Sequence, residues 1–372
     1  MPRVFLYGPW ADPLVWMRIT GAGGVADNAI LPGHILRNNA DEDLPQIAEQ
    51  SGCAVEGVVV DLDEPAAARL SSLQAAFGVQ AVSRTVIVDG ASFAAQTFVP
   101  YALPDGPEWH ATDWTATKAA VVRDALCELA GLAATHPPEA LRARWPLALS
   151  YAASYLRGQA ETAPAALRRD WGPADVKPER QGQPYAWFFA VREDDLRFRQ
   201  FDGSVSQQVR RAAFLMSDAV TVLPYDPVRD RVLVIEQFRY GTWLRGARNP
   251  WLLEPIAGRV DPFETPENAV LREAFEEARL SLQEDSLHAV GHVYPSPGAV
   301  TEFLYQYVAI CDLPDGSEGV AGLDSEAENI RSHLISFDQL MTLVDTGEVQ
   351  NGPLALAAWW LAAHRAKLRD MR

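Results

Sequence analysis

The chain has 372 residues, enough at roughly 150 per domain for two domains that each bury a core. Thirty-two Lys and Arg stand against forty-nine Asp and Glu, a net charge of −17, which argues against nucleic acid or an anionic lipid surface as partner and leaves an acidic cation site open. Cys53, Cys127 and Cys311 have neither zinc spacing nor a disulfide framework, and no stretch approaches the ~20 apolar residues of a membrane span, so a soluble protein of the reducing cytoplasm is expected.

Residues 1 to 105 read as short strands, VFLYG, VEGVVVDL, TVIVDG and AAQTFVPY, each bounded by Gly, Asp or Pro. Between the second and third, DEPAAARLSSLQAAFG reads as a helix opened by Asp63-Glu64-Pro65. From Trp109 to Gly158 apolar residues recur every three or four positions, predicting helices over TATKAAVVRDALCELAGLA and RARWPLALSYAASYLRG. The stretch from Gln159 to Tyr185 is rich in Pro, Ala and charge, lacks a strand period and is expected to be a linker. Strands then return in WFFAVREDDLRFRQF, FLMSDAVTVLPYD, RVLVIEQFRY, WLLEPIAG, LHAVGHVYPS and TEFLYQYVAIC, interrupted by helices over PENAVLREAFEEARL and PLALAAWWLAAHRAKL.

The chemistry is concentrated in GRVDPFETPENAVLREAFEEARL, Gly258 to Leu280. Thr265 can cap a helix, Pro266 takes its first position and Glu267 suits its first turn, so a helix to about Leu280 is predicted. Glu273 and Glu277 then share a face that Glu276 borders, with Leu271, Ala274, Phe275 and Ala278 as the opposite, buried face. Three carboxylates so placed repel unless something compensates, and a hard divalent cation that also bridges substrate phosphates would do so. Taken alone, an acidic cluster of this kind is more often a solvated helix face.

The spacing tips that balance. Gly258, five residues, Glu264, seven residues, Arg272-Glu273 and then Glu276-Glu277 resembles the Nudix hydrolase box, with Arg279 where the family usually has Gly. The strings VRR, DPVRD, IEQFR, PWLLEPIAG, YPSPG and SEAENIR extend the resemblance to bacterial ADP-ribose pyrophosphatases over residues 187–370. The resemblance implies Mg²⁺-dependent hydrolysis (Mn²⁺ as substitute) of ADP-ribose to AMP and ribose 5-phosphate, or of a related nucleoside diphosphate sugar. It implies Glu273, Glu276, Glu277 and the Ala257 carbonyl as metal ligands, and Arg272 and Glu264 as residues that hold them. Glu326 matches the family's general base, with Glu328 as a nearby rival. Arg211, Arg239, Phe188, Glu254, Ser296 and Glu302 match or adjoin substrate-binding positions, Phe188 by stacking on adenine and Ser296 and Glu302 by reaching the ribose end from a partner subunit. A homodimer through this region is therefore expected, with no nucleic acid or membrane partner.

Residues 1–105, through YGPW, LPGHIL and VEGVVVDLD, resemble the γ-glutamylcyclotransferase-like fold. Where enzymes of that fold carry a catalytic Glu, this chain offers Gln74 or Phe77, so a binding or assembly module is expected, with Glu56 or Asp61 as an acid only in the minority case. The pairing of the two regions resembles a bacterial group named for tellurite resistance. The overall expectation is an α+β protein: a γ-glutamylcyclotransferase-like small β-barrel/α domain over 1–158, a linker over 159–185, and a Nudix α/β/α sandwich with a mixed sheet over 186–372. The competing expectation is a sensor or scaffold that binds ADP-ribose without hydrolysing it.

Overall fold

The computed structural model describes residues 2–21, 25–39, 44–114, 116–322 and 329–370, which fall into two units, Met1–Arg211 and Ala212–Arg372. In the first unit, β1 (Arg3–Tyr7), α1 (Pro13–Thr20), β2 (Ala26–Arg37), β3 (Gln46–Asp61), α2 (Glu64–Ala76), β4 (Val79–Val88) and β5 (Ala91–Pro100) follow in order. The five strands close a barrel in the order β1-β3-β2-β4-β5. Its interior holds Phe5, Tyr7, Leu31, Ile47, Val55, Val59 and Val86, the alternate residues of half-buried strands. The Asp63 carboxylate accepts from the Ala66 N–H at 2.8 Å and starts α2 where the sequence places it. Two helices follow, α3 (Ala116–Leu132) and α4 (Pro138–Ala160), joined by the buried Arg144–Glu128 ion pair at 2.9 Å.

The stretch without a strand period nonetheless contains β6 (Val176–Ala186), antiparallel to β7 (Ala190–Phe198). Charge pairs hold this hairpin in place of apolar alternation: Arg180 donates to Asp195 at 2.8 Å and Arg197 to Glu179 at 2.7 Å. Asp195 also accepts from Arg210 at 2.7 Å, and these two guanidinium groups, Arg210 first, lower its carboxyl to about 2. β8 (Val209–Leu215) is the third strand of that sheet and continues past Arg211.

The second unit comprises β9 (Ala219–Asp226), β10 (Arg231–Phe238), α5 (Tyr240–Leu244), β11 (Trp251–Glu254), β12 (Ile256–Arg259), α6 (Pro266–Ala278), β13 (Leu287–Val293), β14 (Leu304–Ile310), β15 (Val320–Ala321), β16 (Ile330–Ser336), α7 (Phe337–Thr346) and α8 (Gly352–Asp370). Eight of these are strands of one mixed sheet, ordered β13-β14-β9-β10-β16-β15, with β11 on β10 and β12 on β9. The β14–β9 pair is parallel. Pro255, which has no N–H for a ladder, separates β11 from β12. Strand alternation sends Val220, Val222, Leu233 and Ile235 to one face, against Ala269, Val270, Ala274 and Ala278 of α6. It sends Leu223, Tyr225, Val232 and Val234 to the other, against Leu340 of α7 and Leu354, Ala357 and Leu361 of α8. This helix–sheet–helix layering is the expected mixed architecture, and it seats α6 on one side of the sheet above β9, β10 and β12.

Candidate active site

Helix α6 begins as its sequence dictates, with the Thr265 side chain accepting from the Asn268 N–H at 3.2 Å and Pro266 in the first turn. Tyr307 on β14 donates to Glu267 at 2.9 Å and ties the first turn to the sheet. The helix ends at Ala278, two residues short of the expected Leu280, because Arg279 takes the left-handed conformation with φ 56° and ψ 27°. Arg279 N–H donates to Phe275 O and Leu280 N–H to Ala274 O, both at 3.0 Å, so the turn that Gly would favour forms without one. The Arg279 guanidinium sits over the Phe275 ring, 5.5 Å from its centroid.

Phe275 corrects the expected helix face: its side chain is exposed (52%), whereas Glu277 is buried to 3% exposure. The cause is polar. Glu277 Oε2 accepts from the Ala257 N–H at 3.0 Å, so a carboxylate occupies the position between helix and strand that an apolar residue would fill.

Arg272 gathers the other carboxylates. It donates through Nε and Nη2 to Glu264 at 3.2 and 2.9 Å, and through Nη1 to Glu273 at 2.7 Å and Glu276 at 3.2 Å. Its Nη2 also donates to the Arg259 carbonyl at 2.9 Å, fastening the helix to the end of β12. Burial works against the guanidinium charge, but the hydrogen bonds and charge of Glu264 and Glu273 outweigh it and hold the group above its ordinary value. Gly258 lies directly under Glu273: a Cβ built there would overlap the carboxylate, so a side chain at 258 would require Glu273 to leave its place beside Arg272.

The donors gathered here are all oxygens, which suits a hard divalent cation. Glu273 and Glu276 converge on one Arg272 nitrogen, so two carboxylates already face a common positive point. Among the described residues, no three acidic, His or Cys side chains form a complete ion cage. Mg²⁺ commonly takes one or two carboxylates and completes its shell with water and substrate phosphates, so this set fits it.

A second group lies at the ends of β10 and β11. Glu254, 3% exposed, accepts from two Arg239 groups, the Nε–H shared between both carboxylate oxygens at 3.1 Å and Nη2 at 2.6 Å. Gln237 adds a contact at 3.4 Å. Glu302, just before β14, is half-buried, and burial raises its carboxyl above the ordinary value against the opposing charges of Arg259 and Arg239. The native state therefore keeps a proton that the unfolded chain loses near pH 4.5. This group's contribution to stability is full below about pH 4.5 and falls as pH rises through the raised native value. Glu302→Gln is expected to flatten that part of the pH–stability curve, read as melting midpoints across pH 4 to about 7; an unaltered curve would contradict this.

Ser296 lies in an exposed turn where its carbonyl accepts from the Ala299 and Val300 N–H groups at 3.0 Å. Arg211, exposed and donating to the Arg210 carbonyl at 3.0 Å, closes the first unit. Phe188, 63% exposed and edge-on to Phe189 at 4.8 Å, sits at the β6–β7 turn of that unit. Glu326 and Glu328 lie outside the described residues. Three contacts were not foreseen: the Arg259 carbonyl on Arg272, Tyr307 on Glu267, and the coupling of Gln237 and Arg239 to Glu254. For the last the sequence carries half the signal: Gln237 and Arg239 are two apart and share a strand face, but their partner Glu254 follows only from the strand register.

In the first unit, Gln74 and Phe77 are both buried. Tyr7 donates to the Phe98 carbonyl at 2.8 Å, and Gly8, at φ +54°, is packed so that a Cβ would meet Pro45 at 2.9 Å. Glu56 is exposed, and Asp61 faces Arg3 at 3.4 Å.

A left-handed turn at Arg279 has a measurable consequence. Arg279→Gly relieves roughly 1–2 kcal/mol of strain against about 0.4–1 kcal/mol of added unfolded-state entropy. The variant is expected to match or exceed wild type in urea unfolding, while Arg279→Val, β-branched in the same conformation, loses about 1 kcal/mol or more. Equal losses in both would show that the turn is not left-handed.

This sheet with its carboxylate helix coincides with the NUDIX domain family model, which matches residues 216–356. The chain belongs to the Nudix family. It is 35% identical over 200 residues to the ADP-ribose pyrophosphatase of Escherichia coli (strain K12), covering 54% of this chain and 94% of that protein. It is 33% identical over 188 residues to the ADP-ribose pyrophosphatase of Haemophilus influenzae, covering 50% and 85%. A GDP-mannose pyrophosphatase of Enterobacter sp. (strain 638) is 30% identical over 174 residues, covering 47% of this chain and 88% of its own. No helix among the described residues is long and apolar enough to cross a membrane.

Proposed function

We propose that this chain is a Nudix pyrophosphatase that hydrolyses the diphosphate of ADP-ribose, to AMP and ribose 5-phosphate, or that of a related nucleoside diphosphate sugar. The observation that carries the reading is the α6 cluster: Glu264, Glu273 and Glu276 held by one arginine, and Glu277 held by the Ala257 backbone, at the end of β12. Relatives named for ADP-ribose and for GDP-mannose support the substrate class.

Nudix hydrolases use divalent metal, and Glu273, Glu276, Glu277 and the Ala257 carbonyl are the ligands proposed for it here. When bound, Mg²⁺ neutralises charge on the diphosphate oxygens and lowers the pKa of an attacking water. The chain's part is placement. Arg272 holds Glu273 and Glu276 in fixed orientations and offsets their mutual repulsion. Ala257 N–H fixes Glu277, and Gly258 leaves space for the Glu273 carboxylate. Arg211, Arg239, Phe188, Ser296 and Glu302 are assigned to substrate binding, and Glu326, with Glu328 as rival, to accepting the proton of the attacking water. A homodimer that shares Phe188, Ser296 and Glu302 between subunits belongs to the same proposal, and a monomer in sedimentation would remove that sharing.

A first region over 1–158 and a Nudix region over 186–372 are part of this reading, with β6 occupying the second part of the 159–185 stretch read as linker. The first region, a closed barrel with buried Gln74 and Phe77, is proposed as a γ-glutamylcyclotransferase-like binding or assembly module without cyclotransferase chemistry. The sensor alternative rests on the missing acid of the first region and on Arg279, and the turn at Arg279 is formed nonetheless. The test is a panel of ADP-ribose, GDP-mannose and other nucleoside diphosphate sugars with Mg²⁺, assayed for nucleoside monophosphate. The highest kcat/KM is expected for ADP-ribose, whereas tight binding with no product from any of them would favour the sensor.

A further inference from the structure

We propose that Glu254 is a positioning residue, one that touches no substrate and presets the Arg239 guanidinium for binding it. This deepens the functional reading above and rests on it. The buried Glu254 carboxylate is engaged on both oxygens: the Arg239 Nε–H is shared between them at 3.1 Å, and Oε2 also accepts from Arg239 Nη2 at 2.6 Å and from Gln237 Nε2 at 3.4 Å. At 3% exposure the carboxylate is turned to Arg239 and Gln237 and away from solvent.

The placement of the pair follows from the sheet. Glu254 is the register partner of Ile235 on β10, and Ile235 packs in the core under α6. Gln237 and Arg239 follow at two-residue steps, Arg239 in extended conformation (φ −122°, ψ 116°), so alternation puts all four side chains on the sheet face that α6 covers. The clamp and the carboxylate helix thus share a face, and Glu254 precedes Ala257 by only three residues.

The Arg239 backbone is fixed as well. Its N–H donates to the Pro250 carbonyl at 2.9 Å, and its own carbonyl accepts from the Thr242 hydroxyl at 2.5 Å. The side chain stays 43% exposed while its partner is 4% exposed, so the pair presents the guanidinium outward from a buried anchor. An arginine held in this way loses little rotamer freedom when a diphosphate or a base docks on it. Glu302, which feels the charge of both Arg259 and Arg239, lies within the same electrostatic neighbourhood.

A double-mutant cycle on the full chain tests this. Glu254→Gln is expected to raise KM for ADP-ribose about tenfold with kcat within about twofold, Arg239→Ala to raise it at least as much, and the double variant no more than Arg239→Ala alone. Glu254→Asp, which keeps the charge, should recover part of the lost affinity. Melting midpoints recorded alongside separate a folding defect, which would not cancel in the cycle. Dissociation constants for ADP-ribose without Mg²⁺, by calorimetry, repeat the cycle independently of turnover. Wild-type binding with penalties that multiply in the double variant overturns the clamp alone, as does a fall in kcat at unchanged KM for Glu254→Gln. A wild type that neither binds nor hydrolyses ADP-ribose overturns the functional reading and the clamp with it.

Discussion

Replacing Glu277 by Gln is expected to lower ADP-ribose turnover by about 10²- to 10⁴-fold, with the melting midpoint displaced by only a few degrees. Glutamine keeps the shape of the side chain and an oxygen for the Ala257 N–H, so the packing between α6 and β12 is retained. What it removes is the negative charge, and a charge buried to 3% exposure is effective on a nearby cation because little water screens it. Steady-state kinetics with Mg²⁺, together with thermal unfolding, separate the two quantities. Undiminished turnover would remove Glu277 from the metal site.

Gly258→Ala should damage both quantities. The added methyl group would overlap the Glu273 carboxylate, which Arg272 holds at 2.7 Å, so either the strand retreats from α6 or the carboxylate leaves the cluster. Overpacking of this kind costs about 1–3 kcal/mol, and displacing Glu273 is expected to cut turnover at least tenfold. Gly352→Ala, where a Cβ would meet nothing within 4 Å, is the matched control and should leave both unchanged. Equal behaviour of the two variants would show that Gly258 does not carry Glu273 at close range.

The start of α6 was legible because its signals are local: Thr265 caps, Pro266 opens, and the apolar residues recur at helical spacing. Its buried side was harder to read. Hydrophobicity placed Phe275 inside and Glu277 on the acidic face, but the partner that buries Glu277 is a backbone N–H twenty residues earlier, which no periodicity encodes. Strand β6 escaped for a related reason, since its cross-strand pairs are Arg180–Asp195 and Arg197–Glu179 and its composition resembles solvated linker. Arg279 shows the limit of residue preference: its spacing marked the turn, its identity argued against it, and the backbone took the left-handed form nonetheless. Helix α7, unread in the sequence, has local signals all the same: Ser336 accepts from the Gln339 N–H at 3.1 Å, and Phe337, Leu340, Met341 and Val344 recur at helical spacing on its packed side. For the site, motif spacing brought the box residues together, whereas the Arg239–Glu254 pairing needed the register of β10 and β11.

The central claim is metal-dependent hydrolysis of a nucleoside diphosphate sugar at the α6 cluster. Its most direct test is a time course of AMP released from ADP-ribose by the full chain, with Mg²⁺ and with Mg²⁺ removed by chelation. AMP and ribose 5-phosphate appearing in equal amounts with Mg²⁺, and neither without it, is the predicted result. No AMP under either condition, at concentrations where ADP-ribose binds, would contradict it.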